Sequence, residues 1–183
     1  IIGLDSMPPG IALGVMRDAM PFLAGLAEQG RAAPLLSTDP PVTVPAWVTM
    51  TTGRDPGQLG IYGFRQRRPG GYGMRLVTPD DLDAPRLWDL AARHDLRSVA
   101  VSVPLTYPPR GSAQAAVASC FLTPGPESPW VSPPGWRSEL EERFGPYLVD
   151  VESHRAGAAA DRLLAECREL TAQHFGIFRH LIR

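Results

Sequence analysis

Prolines and glycines are the feature that most limits what this chain can fold into. Eighteen glycines and twenty prolines are spread through 183 residues without a regular repeat. Because proline ends or kinks helices and removes a donor from strands, this spacing favours short elements separated by loops. The chain is still 44% hydrophobic, which is enough for a core. The sequence therefore predicts one loop-rich globular α/β domain rather than a fibrous or disordered chain.

Short apolar runs alternate with segments of helical periodicity along the chain. Strands are predicted at 1–5, 33–37, 98–103, 115–121 and 147–151. Helices are predicted at 20–29, near 45–53, and at 86–94, 133–144 and 158–182. This alternation is typical of an α/β fold with a mostly parallel sheet flanked by helices. The segments near 63–80 and 122–136 are predicted to leave the sheet and to contribute to a cap over a site.

Charge, hydropathy and cysteine spacing exclude several classes of protein. With 18 basic and 19 acidic residues the chain has no electrostatic signature for nucleic acid, and the cluster Arg65, Arg67 and Arg68 is interpreted as a solvated loop. No run reaches the ~18 apolar residues that a membrane-spanning helix needs. Cys120 and Cys167 match no metal or redox spacing, so we expect reduced thiols and a cytoplasmic location. The sequence predicts no oligomeric state.

The histidines and tryptophans carry no clear signal for a site. No two of the four histidines have the helical spacing of metal ligands, so they are interpreted as surface or core residues. The four tryptophans are assigned to packing of the core and cap. These residues are His94, His154, His174, His180, Trp47, Trp88, Trp130 and Trp136.

Asp5 and Thr43 form the most informative pair of polar residues. Asp5 ends a predicted strand, and Thr43 lies at the amino terminus of a predicted helix. A carboxylate and a hydroxyl in these positions can meet at the carboxyl edge of a parallel sheet, where α/β folds bind ligands. Each residue also has an ordinary explanation, since Asp5 suits a loop or helix cap and Thr43 suits an N-cap. From spacing alone the ordinary explanation is favoured.

Three sequence blocks favour a functional role for Asp5 and Thr43 over the ordinary explanation. They are IIGLD at residues 1–5, MPFL with LAEQG at 20–30, and STDPPVTVPAW through TGRDPG at 37–57. Together they resemble the type I phosphodiesterase/nucleotide pyrophosphatase family, which belongs to the alkaline phosphatase superfamily. The third block resembles the nucleophile segment of that family, and the first resembles its first metal-ligand strand. The resemblance extends over nearly the whole chain.

The resemblance implies a metal-dependent phosphoric ester hydrolase that acts on a small-molecule phosphate ester. Thr43 would be the catalytic nucleophile and a metal ligand, and Asp5 a second metal ligand. Two divalent cations, zinc or manganese, would be completed by ligands beyond Arg183. The chain would be the amino-terminal part, residues 1–183, of one alkaline-phosphatase-like domain with an incomplete sheet. The isolated chain would then be inactive, and no substrate-binding residue is assigned.

Other functions remain open because the chain departs from the family pattern. Leu59 stands where relatives commonly have histidine, Ala46 where nucleotide pyrophosphatases have asparagine, and Gly63 where aspartate is frequent. A phosphomonoesterase or phosphomutase of the same superfamily is one alternative. A sulfatase is excluded, because Thr43 cannot be converted to formylglycine. A non-catalytic binding domain that has lost its metals is the alternative from a different class.

Overall fold

A computed structural model of the chain describes residues 1–152 and 159–183. Its helices are α1 (Pro21–Gln29), α2 (Thr43–Thr52), α3 (Pro56–Leu59), α4 (Leu87–Arg93), α5 (Trp136–Phe144) and α6 (Ala160–Leu181). Its strands are β1 (Arg65–Arg67), β2 (Met74–Leu76), β3 (Ser98–Val101), β4 (Ala115–Ala118) and β5 (Val131–Ser132). Helical turns also form at Ile11–Val15, Arg17–Ala19 and Pro79–Asp81.

The structure contains a helix in or close to each range where the sequence predicts one. Helix α1 has Pro21 in its first turn and Gly30 at its carboxyl end, as the sequence indicates. Helices α2, α4, α5 and α6 also lie within or close to their predicted ranges. The predicted start of the last helix at Ala158 lies outside the described residues, as does His154. None of the described helices is long and apolar enough to cross a lipid bilayer.

Two small sheets make up the β structure of the described residues. Strands β1 and β2 form an antiparallel hairpin within the segment predicted to contribute to a cap. Strands β3 and β4 pair in parallel, and β5 adds to β4 in the antiparallel direction. The α/β class is therefore confirmed. A mostly parallel sheet is not observed here, because only one of these three pairings is parallel.

Three predicted strands are wrong for the described residues. Residues 1–5 and 33–37 form no strand, because no neighbouring strand pairs with them, and Ile1 and Leu35 are 96% and 94% exposed. Residues 147–151 are also not a strand, and side chains of α6 instead bond the backbone of Leu148. The N–H of Leu148 donates to Gln173 Oε1 at 2.8 Å, and its carbonyl lies 2.8 Å from His174 Nε2.

Three clusters of buried side chains form the core. The first includes Trp130 and Tyr147, whose rings stack at 4.1 Å between β5 and helices α5 and α6. The second surrounds α2 and is built on Val44, Val48, Ile61, Val77 and Leu105. The third joins α4 to β3 and β4. The second cluster fixes the helix that carries Thr43.

Candidate functional site

The residues that flank Thr43 explain why α2 begins there. Val42 is extended, with φ −115° and ψ 147°, so the helical conformation starts at Thr43. Pro45 lies in the first turn, where a backbone N–H would have no partner within the helix. Gly53 ends the helix in the left-handed conformation, with φ 70°, which glycine adopts without steric cost. The helix begins two residues before its predicted start near Pro45, and Thr43 lies at its amino terminus as predicted.

The buried face of α2 holds Thr43 in place. Val44 and Val48 are fully buried and contact Ile61 and Leu105 in the second core cluster. Thr43 itself is half-buried at the edge of this contact. Burial of a valine side chain stabilises the fold by about 1.5–3 kcal/mol. The first turn of α2 is therefore a rigid base for a functional group.

The Asp5 carboxylate contacts two side chains of α2. Trp47 Nε1 donates to Asp5 Oδ1 at 2.9 Å, and Thr43 Oγ1 donates to Asp5 Oδ2 at 3.3 Å. Because residues four apart lie on one face of a helix, both donors reach the same carboxylate. The contact of Trp47 has an ordinary length, whereas that of Thr43 is long for a hydroxyl donor. The indole is therefore the main anchor of Asp5.

Gly3 makes this arrangement possible. A Cβ atom at Gly3 would lie 2.0 Å from Cη2 and 2.6 Å from Cζ3 of Trp47, which is far inside contact distance. Only glycine lets the backbone approach the indole this closely. From the sequence, Trp47 was expected only to pack in the core or cap and Gly3 had no predicted role, so this contact was not predicted. The four-residue spacing from Thr43 to Trp47 was the signal that could have placed this indole at the site.

The structure corrects the local setting of both predicted residues. Asp5 lies in an exposed turn before Ser6, which has a φ of 55°, and does not end a strand. Thr43 is not an N-cap, because Val42 occupies that position and no side chain caps the helix. The hydroxyl of Thr43 instead donates to Asp5. The two residues thus meet as predicted, although no sheet edge brings them together.

The oxygens of Asp5 and Thr43 are too few to form a metal site by themselves. Carboxylate and hydroxyl oxygens suit a divalent cation, and both are accessible from solvent. A tightly held zinc needs about three or four protein ligands. Within residues 1–152 and 159–183 no group of three or more His, Cys, Asp and Glu side chains could hold a metal ion. The donors present fit one side of a cation and leave the other side open.

The structure shows the surroundings of the three residues that depart from the family pattern. Leu59 contacts the second core cluster, so its position next to Gly60 serves packing. Ala46 is half-buried in the first turn of α2, next to Pro45. A side chain at Gly63 would meet no atom within 4 Å. The chain therefore has space for a larger residue at Gly63 but lacks the polar group.

Two of the histidines have structural partners in the core and between helices. His174 is buried, stacks on Tyr147 at 5.1 Å and bonds to the carbonyl of Leu148. Burial lowers the pKa of His174 below its ordinary value. His180 lies 2.7 Å from Glu139 and links α6 to α5. Both cysteines are free thiols.

Comparison with known proteins places the chain in a family. The family model for type I phosphodiesterase / nucleotide pyrophosphatase matches residues 1–174. The chain belongs to the type I phosphodiesterase/nucleotide pyrophosphatase family. No curated protein and no solved structure matches it. Membership confirms the resemblance found in the sequence and, at the level of the family, supports hydrolysis of phosphoric esters.

The match includes the whole of the Asp5–Thr43 site. Residues 1–174 contain the turn at Asp5, the helix α2 and the Gly3 contact with Trp47. The family is generally metal-dependent, which agrees with the oxygen donors at this site. The family suggests an alkaline-phosphatase-like fold, and the α/β class of the structure agrees with this. The sheets in the described residues are short, with two and three strands.

Proposed function

We propose that this chain carries the nucleophile of a metal-dependent phosphoric ester hydrolase, with Thr43 as the nucleophile and Asp5 as a metal ligand. The observation that carries the proposal is the contact of Thr43 Oγ1 with Asp5 Oδ2 at 3.3 Å, at the start of a helix that buries one face. The family match covers both residues. A small-molecule phosphodiester is the proposed substrate.

The Asp5 carboxylate is suited to coordinate a metal, because a hydrogen bond holds it in place while it stays accessible to solvent. Its Oδ1 accepts the indole N–H of Trp47, which fixes the carboxylate plane. Its Oδ2 faces the hydroxyl of Thr43, so one cation could contact both oxygens. At metal sites, neighbouring groups commonly orient a metal ligand through hydrogen bonds to it. Trp47 is therefore proposed as the residue that positions Asp5.

Thr43 needs help to act as a nucleophile, because a free hydroxyl is weak at neutral pH. A divalent cation supplies charge that favours the alkoxide and offsets charge on the phosphoryl group. The N–H groups in the first turn of α2 add a field that attracts phosphate oxygens. Helix α2 has ten residues, long enough for this effect to matter.

The proposed reaction has two steps that each exchange one ester bond. Thr43 Oγ1 forms a bond to phosphorus while the bond to the leaving oxygen breaks; the hydroxyl proton goes to solvent and the leaving group takes one up. Water then attacks the phosphothreonine, which releases a phosphate monoester and restores the Thr43 hydroxyl. The overall change is hydrolysis of one ester bond, with no oxidant or reductant needed.

The described donors are too few for the two cations that this chemistry uses. Asp5 and Thr43 give two oxygen ligands, and a bound zinc takes about four ligands in total. We therefore propose that further ligands come from outside residues 1–183, and that zinc or manganese is the metal. The isolated chain is then expected to be inactive. Phosphomonoester hydrolysis, phosphoryl transfer between hydroxyls and metal-free binding remain as alternatives for the same site.

The test uses the protein expressed from its complete coding sequence, supplied with zinc or manganese. Bis(p-nitrophenyl) phosphate and p-nitrophenyl phosphate distinguish diesterase from monoesterase activity. Thr43→Ala should remove most turnover, and Thr43→Ser should keep part of it, because serine retains the hydroxyl. Asp5→Asn should need more metal for the same rate.

Thr52→Ala is the matched control, since Thr52 lies at the other end of α2 and donates to Val48 within the helix. Its turnover should stay near that of the wild type. Near-normal turnover of Thr43→Ala in saturating metal would exclude a threonine nucleophile. A protein that holds no stoichiometric cation and hydrolyses neither ester would instead indicate the non-catalytic alternative.

A further inference from the structure

A separate cavity of about 210 Å³ lies between the 79–89 segment and the loop that joins β3 to β4. None of its lining residues belongs to the Asp5–Thr43 site. Its walls combine apolar side chains with two arginines, the Asp89 carboxylate and a hydroxyl. The residues that matter for its chemistry are Leu82, Ala84, Arg86, Trp88, Thr106 and Arg110.

Arg86 is the unusual residue of this cavity, because it is a charged side chain that is only 5% exposed. Its guanidinium lies 5.1 Å from the centre of the Trp88 ring, and Nη2 donates to the carbonyl of Leu105. Burial lowers the pKa of Arg86 to about 10. Within the described residues Arg86 has no ion-pair partner, and a buried charge without one is costly.

Neither acidic residue at the cavity forms an ion pair with Arg86, although the charge of Asp89 favours the charged form of the guanidinium. Asp89 is exposed, and its carboxylate accepts the backbone N–H of Arg86 at 2.8 Å rather than the guanidinium. Asp80 pairs with the other cavity arginine, Arg110. The cavity therefore retains one positive charge that no side chain contacts as an ion pair in the described part of the chain.

The guanidinium also has donors to spare. Arginine carries five N–H donors, and the one hydrogen bond of the Arg86 side chain in the described residues is that of Nη2 to Leu105. The remaining nitrogens are not among the fully enclosed polar atoms that lack a partner. They therefore keep some accessible surface, and Arg86 is one of the residues that line the cavity. A carboxylate could accept two parallel N–H bonds from such a group.

We propose that this cavity binds a small monocarboxylate through Arg86. The Arg86 guanidinium, which has no ion-pair partner in the described residues, can bind one carboxylate, and Leu82, Ala84 and the Trp88 ring offer apolar contact to the body of the ligand. The volume is below the roughly 300 Å³ at which pockets for drug-sized ligands begin, so the ligand is small. A phosphate dianion would carry more charge than this cavity balances. The proposal does not depend on the function proposed for Thr43.

Isothermal titration calorimetry of the protein expressed from its complete coding sequence, with benzoate and with inorganic phosphate, tests the proposal. Benzoate should bind at one site per chain and more tightly than phosphate. Arg86→Gln should weaken benzoate binding at least tenfold, since a charge-assisted hydrogen bond is lost. Arg97→Gln, which removes an exposed arginine, should leave it unchanged.

A second variant keeps the test decisive if Arg86→Gln does not fold. Ala84→Leu retains the arginine and fills part of the cavity, so it too should weaken benzoate binding at least tenfold. Three results would overturn the proposal: no saturable benzoate binding, tighter binding of phosphate than of benzoate, or unchanged benzoate binding by folded Ala84→Leu.

Discussion

Replacing Trp47 with phenylalanine should uncouple Asp5 from helix α2. The change removes the indole N–H that donates to Asp5 Oδ1 at 2.9 Å, and it removes the six-membered ring that Gly3 contacts. The contact of Thr43 with Asp5, at 3.3 Å, is too long to hold the turn alone. We therefore expect the amino-terminal turn to leave α2 in a substantial fraction of molecules.

The energy of this contact can be bounded from its setting. Hydrogen bonds to charged groups contribute about 1.5–3 kcal/mol, and the exposed Asp5 carboxylate regains water when the bond breaks. We expect a coupling of about 1 kcal/mol between Trp47 and Asp5. That value corresponds to a change of about fivefold in the ratio of attached to released turn.

A double-mutant cycle measures the coupling between Trp47 and Asp5 and subtracts the effect of the smaller phenylalanine ring on stability. Urea unfolding followed by circular dichroism would be compared for the wild type, Trp47→Phe, Asp5→Ala and the double variant. The control cycle replaces Trp47→Phe with Trp136→Phe, since Trp136 is also half-buried and lies on α5. The control coupling should be near zero. A Trp47–Asp5 coupling within about 0.3 kcal/mol of the control would refute the role of the indole.

Two further predictions concern the core. Tyr147→Phe should lower the free energy of unfolding by about 1–3 kcal/mol in urea, because the buried carbonyl of Ser119 loses its donor, whereas Tyr62→Phe at an exposed position should have little effect. Burial lowers the pKa of His174, so the unfolded chain takes up its proton first, near pH 6.5. The contribution of this residue to the free energy of unfolding is therefore complete above about pH 6.5 and is lost as the pH falls below that value. The urea concentration at the unfolding midpoint should decrease as the pH is lowered. His174→Gln should reduce this decrease, whereas His94→Gln should not.

The helices were predictable because their signals are local. Pro21 and Gly30 mark the two ends of α1, and Gly53 marks the end of α2 through its left-handed conformation. A strand needs a partner that local sequence does not reveal. The apolar run at 33–37 has the composition of a buried strand, yet Leu35 is 94% exposed and the run forms no strand.

At the site, too, features set by neighbouring residues were predictable from the sequence, whereas contacts between residues far apart in the chain were not. The meeting of Asp5 and Thr43 was predicted from their positions and from the family resemblance, and a helix start near Pro45 was predicted from the prolines. The role of Trp47 did not, because it depends on a contact with Gly3 that is 44 residues away in sequence. The buried charge of Arg86 was equally hidden, since its environment is formed by the distant backbone at Leu105.

The most direct test of the account is the chemical state of Thr43 during turnover. The protein from the complete coding sequence would be mixed with zinc or manganese and a phosphodiester, quenched in acid, digested and examined by mass spectrometry. We predict a phosphoryl adduct on the peptide that contains Thr43, located on its Oγ1 and absent from Thr43→Ala. Rapid turnover with no adduct on this peptide under any quench time, or an adduct on another residue, would contradict the account.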